Sequence, residues 1–129
     1  MKAFRLTGIN KIELLTVPDP KISSYTDVLI RMKTLGVCGS DIHYYKTGRI
    51  GTQVVKYPFT VGHEGAGEVL ETGDKVTKVR PGDMVAIDPA MPCYECDQCN
   101  TGRTHTCRNL KFLGNPGQAE GCLSEYIVM

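Results

Sequence analysis

Four cysteines stand close together as Cys93-x2-Cys96-x2-Cys99-x7-Cys107, a density of sulfur that suits disulfides, redox chemistry or metal binding. Disulfides would have to join cysteines three positions apart inside a cramped loop. A redox dithiol usually opens a helix beside a strand–helix–strand unit, and no such pattern surrounds these residues. Metal binding asks only that successive sulfurs turn inward around one ion. Asp97, Gln98, Asn100 and Gly102 lie among the cysteines and tolerate the tight backbone that this needs. Four thiolates close a tetrahedral zinc site and leave no position for water or substrate. An iron–sulfur cluster is the sharper rival, since C-x2-C-x2-C also begins the ferredoxin-type run. There the fourth cysteine follows after three residues and precedes proline, whereas here the gap is seven and Arg108 follows. Structural zinc is the expectation. The basic residues nearby, Arg103, His105, Arg108 and Lys111, lack interleaved aromatics and read as a solvated face rather than a nucleic-acid knuckle.

A second set of residues is Cys38 in GVCGSD and His63-Glu64 in VGHEGAGEV. Taken alone, a cysteine beside glycines is more often a small buried residue than a ligand. A lone His-Glu pair is likewise more often structural. Gly62, Gly65 and Gly67 do not form a dinucleotide fingerprint, because the third position after Gly67 is Leu70 and no helix pattern follows. The alternative is that these glycines let two chain segments pack closely around a metal.

The elements that must position these residues are short. MKAFRLTG and KIELLTV form a first strand pair, ended by Pro18 and Pro20. VLIRMKTL (28–35) alternates well enough for a strand with one buried face, and a short helix follows Gly39. GEVLE (67–71), DMVAID (83–88) and the terminal LSEYIVM are further strands, with turns at Thr72-Gly73-Asp74 and Arg80-Pro81-Gly82. No alternation of strands with long amphipathic helices is present, so a doubly wound parallel sheet is not encoded. The expected architecture is mainly β, a partly open barrel with a few short helices. A long loop, about 89–121, is expected to be organised by the four cysteines.

Composition sets the outer bounds. The 129 residues suffice for one domain with a real core, and 41% apolar with 22% charged residues is ordinary for a globular chain. A formal net charge of +1 gives no support for nucleic-acid or membrane-surface binding. MKAFRL is not followed by an apolar run, no signal peptide is expected, and no stretch approaches the ~20 apolar residues of a membrane helix. The expected compartment is the cytoplasm, where six cysteines need a purpose other than disulfides.

GVCGSD, GHEGAGEV, VRPGDMVAI and the four-cysteine lobe, in this order and spacing, resemble the medium-chain zinc-dependent alcohol dehydrogenases. CGSDIHYYKTGRIG is most similar to the polyol (sorbitol, xylitol) branch, and the resemblance covers nearly the whole chain. It implies a GroES-like catalytic domain over 1–129. It also implies a second, catalytic zinc held by Cys38 and His63, with Glu64 as a direct or outer partner. Ser40 corresponds to the hydroxyl that relays the substrate proton, His43 to a residue passing it towards solvent, and Tyr44 to a wall of the substrate pocket. For Ser40 the competing reading is a helix N-cap; for His43 and Tyr44 it is a partly buried surface residue. Cys122 falls where the resemblance gives no catalytic role and reads as a thiol that binds nothing.

The activity implied is oxidation of a polyol or secondary alcohol to a ketone with NAD or NADP, by a homo-oligomer (dimer or tetramer). The nicotinamide-binding domain of such enzymes has no counterpart in these residues. The chain therefore reads as a catalytic-domain portion that is inactive by itself. A stand-alone zinc-binding interaction module and a threonine dehydrogenase-like enzyme are the alternatives. The retained Cys38, Ser40, His63 and Glu64 oppose the first, and HYYKTGRIG fits the second less well.

Overall fold

The computed structural model describes residues 1–129. Strands β1 (Lys2–Gly8) and β2 (Lys11–Thr16) form an antiparallel hairpin whose turn carries Asn10 at φ 57°, a left-handed conformation that asparagine adopts more readily than most residues. After β3 (Val28–Gly36) come the helix α1 (Gly39–Thr47) and a two-residue hairpin pair, β4 (Arg49–Ile50) and β5 (Gln53–Val54). β6 (Glu64–Thr72) and β7 (Met84–Ala86) lead into the cysteine lobe. The lobe contains β8 (Ala90–Met91), α2 (Asp97–Asn100), a single 3-10 turn over Thr104–Thr106, and β9 (Lys111–Phe112). β10 (Tyr126–Val128) returns to the main sheet, whose antiparallel order is β10-β3-β6-β7.

The residues before β10 join the parts. The Phe4 N–H donates to the Leu123 carbonyl at 2.9 Å and the Glu125 N–H to the Lys2 carbonyl at 3.0 Å, so the hairpin is fastened to the strand that also pairs with β3. Further along the same edge, β1 meets Phe59 through Leu6. These links curl the sheet into the partly open barrel that the strand pattern predicts. Two apolar clusters fill it. Leu6, Tyr44, Val55, Phe59 and Val61 seat α1 against the barrel, while Ile30, Ile87, Leu113, Cys122 and Ile127 pack the main sheet against the lobe's return. Cys122 is fully buried, and burial pushes its thiol up to about 11, which suits a packing role and not a ligand.

The sequence-based elements recur with these differences, and the terminal strand read over 123–129 is confined to Tyr126–Val128. The strand read as beginning at Gly67 begins at Glu64, so it starts immediately after His63. The strand read over 83–88 is confined to Met84–Ala86. The four two-residue strands were not legible in the sequence, being too short to show a period.

Candidate metal centres and the adjoining cavity

The lobe sulfurs converge. Cys96 Sγ lies 3.6 Å from Cys99 Sγ and 4.0 Å from Cys107 Sγ, and Cys107 Sγ lies 3.5 Å from Cys93 Sγ. These separations are far beyond a disulfide bond of about 2.05 Å. They match the edge, about 3.8 Å, of a tetrahedron with metal–sulfur bonds of about 2.3 Å. The backbone makes this possible locally. Tyr94 adopts φ 58° and Gly102 φ 79°, and the Asn100 N–H returns to the Cys96 carbonyl at 2.9 Å, so the chain doubles back between sulfurs. Across the outside of the lobe Arg108 grips Asp97 with both arms of its guanidinium, Nε to Oδ1 at 2.6 Å and a terminal nitrogen to Oδ2 at 2.8 Å.

Proton affinities divide unevenly among these thiols. Backbone N–H groups of Arg108 and Cys99 pull Cys96 down to about 6, and that of Glu95 lowers Cys93. Burial, reinforced by the neighbouring sulfurs of Cys96 and Cys107, pushes Cys99 up to about 12. Four sulfurs this close cannot all be thiolates without a counter-charge. A divalent, thiophilic cation is what such a donor set takes, and zinc fits it.

The second set is assembled from two distant segments. Cys38 is the extended residue preceding α1, at φ −79° and ψ 159°, and His63 sits just ahead of β6. The Cys38 sulfur, a His63 ring nitrogen and a Glu64 carboxylate oxygen all lie within 4.8 Å of one another. Neighbours on an extended chain point to opposite sides, so Glu64 needs room to turn back. Gly36 supplies it: on the facing strand, a Cβ at Gly36 would stand 2.5 Å from Glu64 Oε2. A thiolate, an imidazole and a carboxylate form a three-ligand site with an open position, the pattern of catalytic rather than structural zinc.

Asp41, which the sequence reading did not single out, ties this site together. It is 5% exposed. Its Oδ2 accepts the Cys38 N–H at 3.0 Å, and its Oδ1 accepts the Gly62 N–H at 3.1 Å while standing 3.7 Å from His63 Nδ1. The signal was available, since an acidic residue three positions after the extended residue is half of a capping box. The helix cap is accordingly Cys38 with Asp41, not Ser40, which lies in the first turn of α1 as its second residue.

Ser40 and Tyr44, four apart on one face of α1, line a cavity of about 240 Å³ together with His63, Phe112, Gln53 and Asn115. Phe112 tilts over the His63 ring with centroids 5.5 Å apart. Tyr44 is 4% exposed, and burial, followed by the charge of Asp41, raises its phenol above the usual value. The lobe's return reaches this cavity because Gly114, at φ 70°, passes within 2.8 Å of the Gly62 carbonyl as measured from a Cβ that it lacks. His43 projects from α1 as an exposed residue outside the cavity wall. Thus the structure brings Cys38, His63 and Glu64 together and sets Ser40 and Tyr44 beside His63, but does not draw in His43.

The sequence pattern described as "Alcohol dehydrogenase GroES-like domain" matches residues 24–129. Sorbitol dehydrogenase of Bacillus subtilis (strain 168) is 41% identical over 129 residues, covering 100% of this chain and 36% of the relative. Galactitol-1-phosphate dehydrogenase from Escherichia coli superposes with a TM-score of 0.87 at 29% identity, over 100% of this chain and 36% of that one. An alcohol dehydrogenase of Escherichia coli CFT073 in complex with NADH superposes with a TM-score of 0.82 at 33% identity, again over 100% and 36%. The chain therefore spans just over a third of the length of the relatives it matches. No helix is long and apolar enough to cross a membrane.

Proposed function

This chain belongs to the alcohol dehydrogenase GroES-like domain family, and from that premise we propose that residues 1–129 form one catalytic domain, with a zinc lobe at about 89–121, of an enzyme that oxidises a polyol or secondary alcohol to a ketone. The observation that carries this reading is the gathering of Cys38, His63 and Glu64 donors within 4.8 Å, with His63 also on the wall of a cavity. Cys93, Cys96, Cys99 and Cys107 would hold a zinc that braces the lobe, and Cys38, His63 and Glu64 one that serves the reaction. When bound, the latter zinc supplies a Lewis acid that acidifies an alcohol, and NAD or NADP supplies the hydride acceptor.

The chain's own residues do the rest. Asp41 holds His63 and the start of α1 in register. Ser40 presents a hydroxyl to the cavity beside His63, placed to accept the substrate's hydroxyl proton and pass it on. His43, exposed on the same helix, is the onward proton exit. Phe112 and Tyr44 wall the cavity and orient the carbon skeleton. The similarity to a sorbitol and a galactitol-1-phosphate dehydrogenase supports a polyol as substrate, and the NADH complex of a relative supports a nicotinamide coenzyme. We place the enzyme in the cytoplasm as a homodimer or homotetramer.

The test is turnover by the complete enzyme, loaded with zinc and supplied with NAD or NADP, on a panel of polyols. Ser40→Ala should lower kcat by ~10²-fold with zinc content unchanged, as loss of a proton relay does. His63→Ala should abolish turnover while the lobe zinc remains. Full activity in both variants would remove the site from the reaction.

A further inference from the structure

Gln53 and Asn115 meet across the cavity through one hydroxyl. Tyr44 Oη stands 3.0 Å from Gln53 Oε1 and 3.1 Å from Asn115 Oδ1. A phenol has a single hydrogen and cannot serve two carbonyl oxygens at full strength. Either one amide oxygen is under-supplied, or one amide is turned so that its NH2 donates to the phenol oxygen. Both arrangements leave hydrogen-bonding capacity over, because neither side-chain amide makes any other hydrogen bond within the protein. Gln53 and Asn115 are each half-buried, and both line the cavity that Ser40 and His63 share.

We propose that Gln53 and Asn115, braced by Tyr44, bind a second hydroxyl of the substrate and make this site select polyhydroxy alcohols over simple secondary alcohols. The proposal rests on the dehydrogenase reading above. A hydroxyl donates and accepts at once, which is the complement of an amide with an unused NH2 and a partly used carbonyl. An alcohol lacking that second hydroxyl leaves half-buried amides unpaired, and sites built to bind a hydroxyl discriminate against analogues without it. A purely structural reading is also available, in which the two amides merely fasten β5 and the turn after β9 to α1 through Tyr44. The two readings differ in what a substitution does to selectivity.

The experiment measures kcat/KM of the complete, zinc-loaded enzyme with its coenzyme for sorbitol and for butan-2-ol, in wild type and three variants. Gln53→Met keeps the length of the side chain without its hydrogen bonds, Asn115→Ala removes the amide, and Asn115→Ser restores one polar group. The wild type should prefer sorbitol. The sorbitol-to-butan-2-ol ratio should fall by ~10-fold or more in Gln53→Met and Asn115→Ala, chiefly through a raised KM for sorbitol, with Asn115→Ser in between. An active wild type without that preference, or variants in which both alcohols decline in step, would overturn the proposal and leave the dehydrogenase reading intact. A wild type that oxidises neither alcohol nor any other polyol overturns both.

Discussion

Asp41 Oδ1 stands 3.7 Å from Nδ1 of His63, on the side of the ring that leaves Nε2 free to act as a ligand. That distance is too long for a full hydrogen bond, so the carboxylate orients the ring electrostatically while its hydrogen bonds to Cys38 and Gly62 fix its own position. One buried side chain therefore connects the segment carrying Cys38 to the segment carrying His63. Asp41→Ala removes both backbone anchors and leaves two inward N–H groups unpaired. It should lower stability by ~2–4 kcal/mol, as losses of buried charged hydrogen bonds do. It should also weaken zinc binding at the Cys38 site by ~10–100-fold, the range seen when partners of metal ligands are lost. Urea melts and competitive zinc titration measure the two effects, and the lobe zinc should be untouched.

Gly36 and Glu64 face each other across β3 and β6, and the glycine keeps space for the carboxylate. Gly36→Ala would place a methyl group 2.5 Å from Glu64 Oε2 and 3.1 Å from its Cβ. Since Glu64 is exposed, its carboxylate can swing outward at small cost and the fold should persist. Zinc affinity at the Cys38 site should then drop by ~10-fold or more, comparably to Glu64→Gln. Unchanged affinity in Gly36→Ala would show that Glu64 does not hold the metal.

How much of this was legible in the sequence follows from contact range. The lobe cysteines lie within 15 consecutive positions (93 to 107), so their spacing alone pointed to a closed zinc site. The longer strands showed their period, and α1 followed its glycine. Cys38 and His63 are separated by 24 intervening residues (63 − 38 − 1), and only the resemblance joined them. Gln53 and Asn115 were missed because their contacts exist only in three dimensions, whereas Asp41 announced its cap on Cys38 locally but not its reach to Gly62. Asp41 reaches Gly62 across 21 positions, and Tyr44 reaches Asn115 across 71. Glu64 has room beside Cys38 and His63 because Gly36 faces it, a cross-strand feature that no local pattern reveals.

The turn that leads into β3 carries a pH dependence. Asp27 Oδ2 accepts the Ser23 N–H at 2.9 Å, the Ser23 hydroxyl at 3.0 Å and the Ser24 N–H at 2.9 Å. The Ser23 N–H is the main cause that holds this carboxyl below its ordinary value. A depressed folded-state pKa means that the ionised form is favoured by folding. The resulting stability is fully present above the unfolded carboxylate value of about 3.9 and is lost as pH falls through the lower, folded value. Asp27→Asn should thus be less stable than wild type at pH 7, and the gap should close in melts taken progressively below pH 4. A gap that stays constant down to pH 3 would assign the effect to shape rather than charge.

The two metal centres should differ in how firmly they hold zinc. In the lobe, four sulfurs would surround the ion and Cys107 is buried, with N–H groups of Cys93 and Asn109 directed at its sulfur at 3.3 and 3.4 Å. At the Cys38 site three donors leave one position open, and Glu64 is exposed. An incoming chelator can attack the open position directly, whereas at the lobe it must first displace a thiolate held inside a folded loop. Zinc-loaded under reducing conditions, the chain should carry two zincs that leave a chromogenic chelator assay in two kinetic phases. Cys38→Ser should remove only the fast phase. Cys107→Ser should remove only the slow phase, together with the order of residues 93–107, because without the ion Cys93, Cys96 and Cys99 have no single arrangement to keep. Two zincs leaving in one slow phase would mean that Cys38, His63 and Glu64 enclose their metal as completely as the lobe does, which would leave no open position for an alcohol.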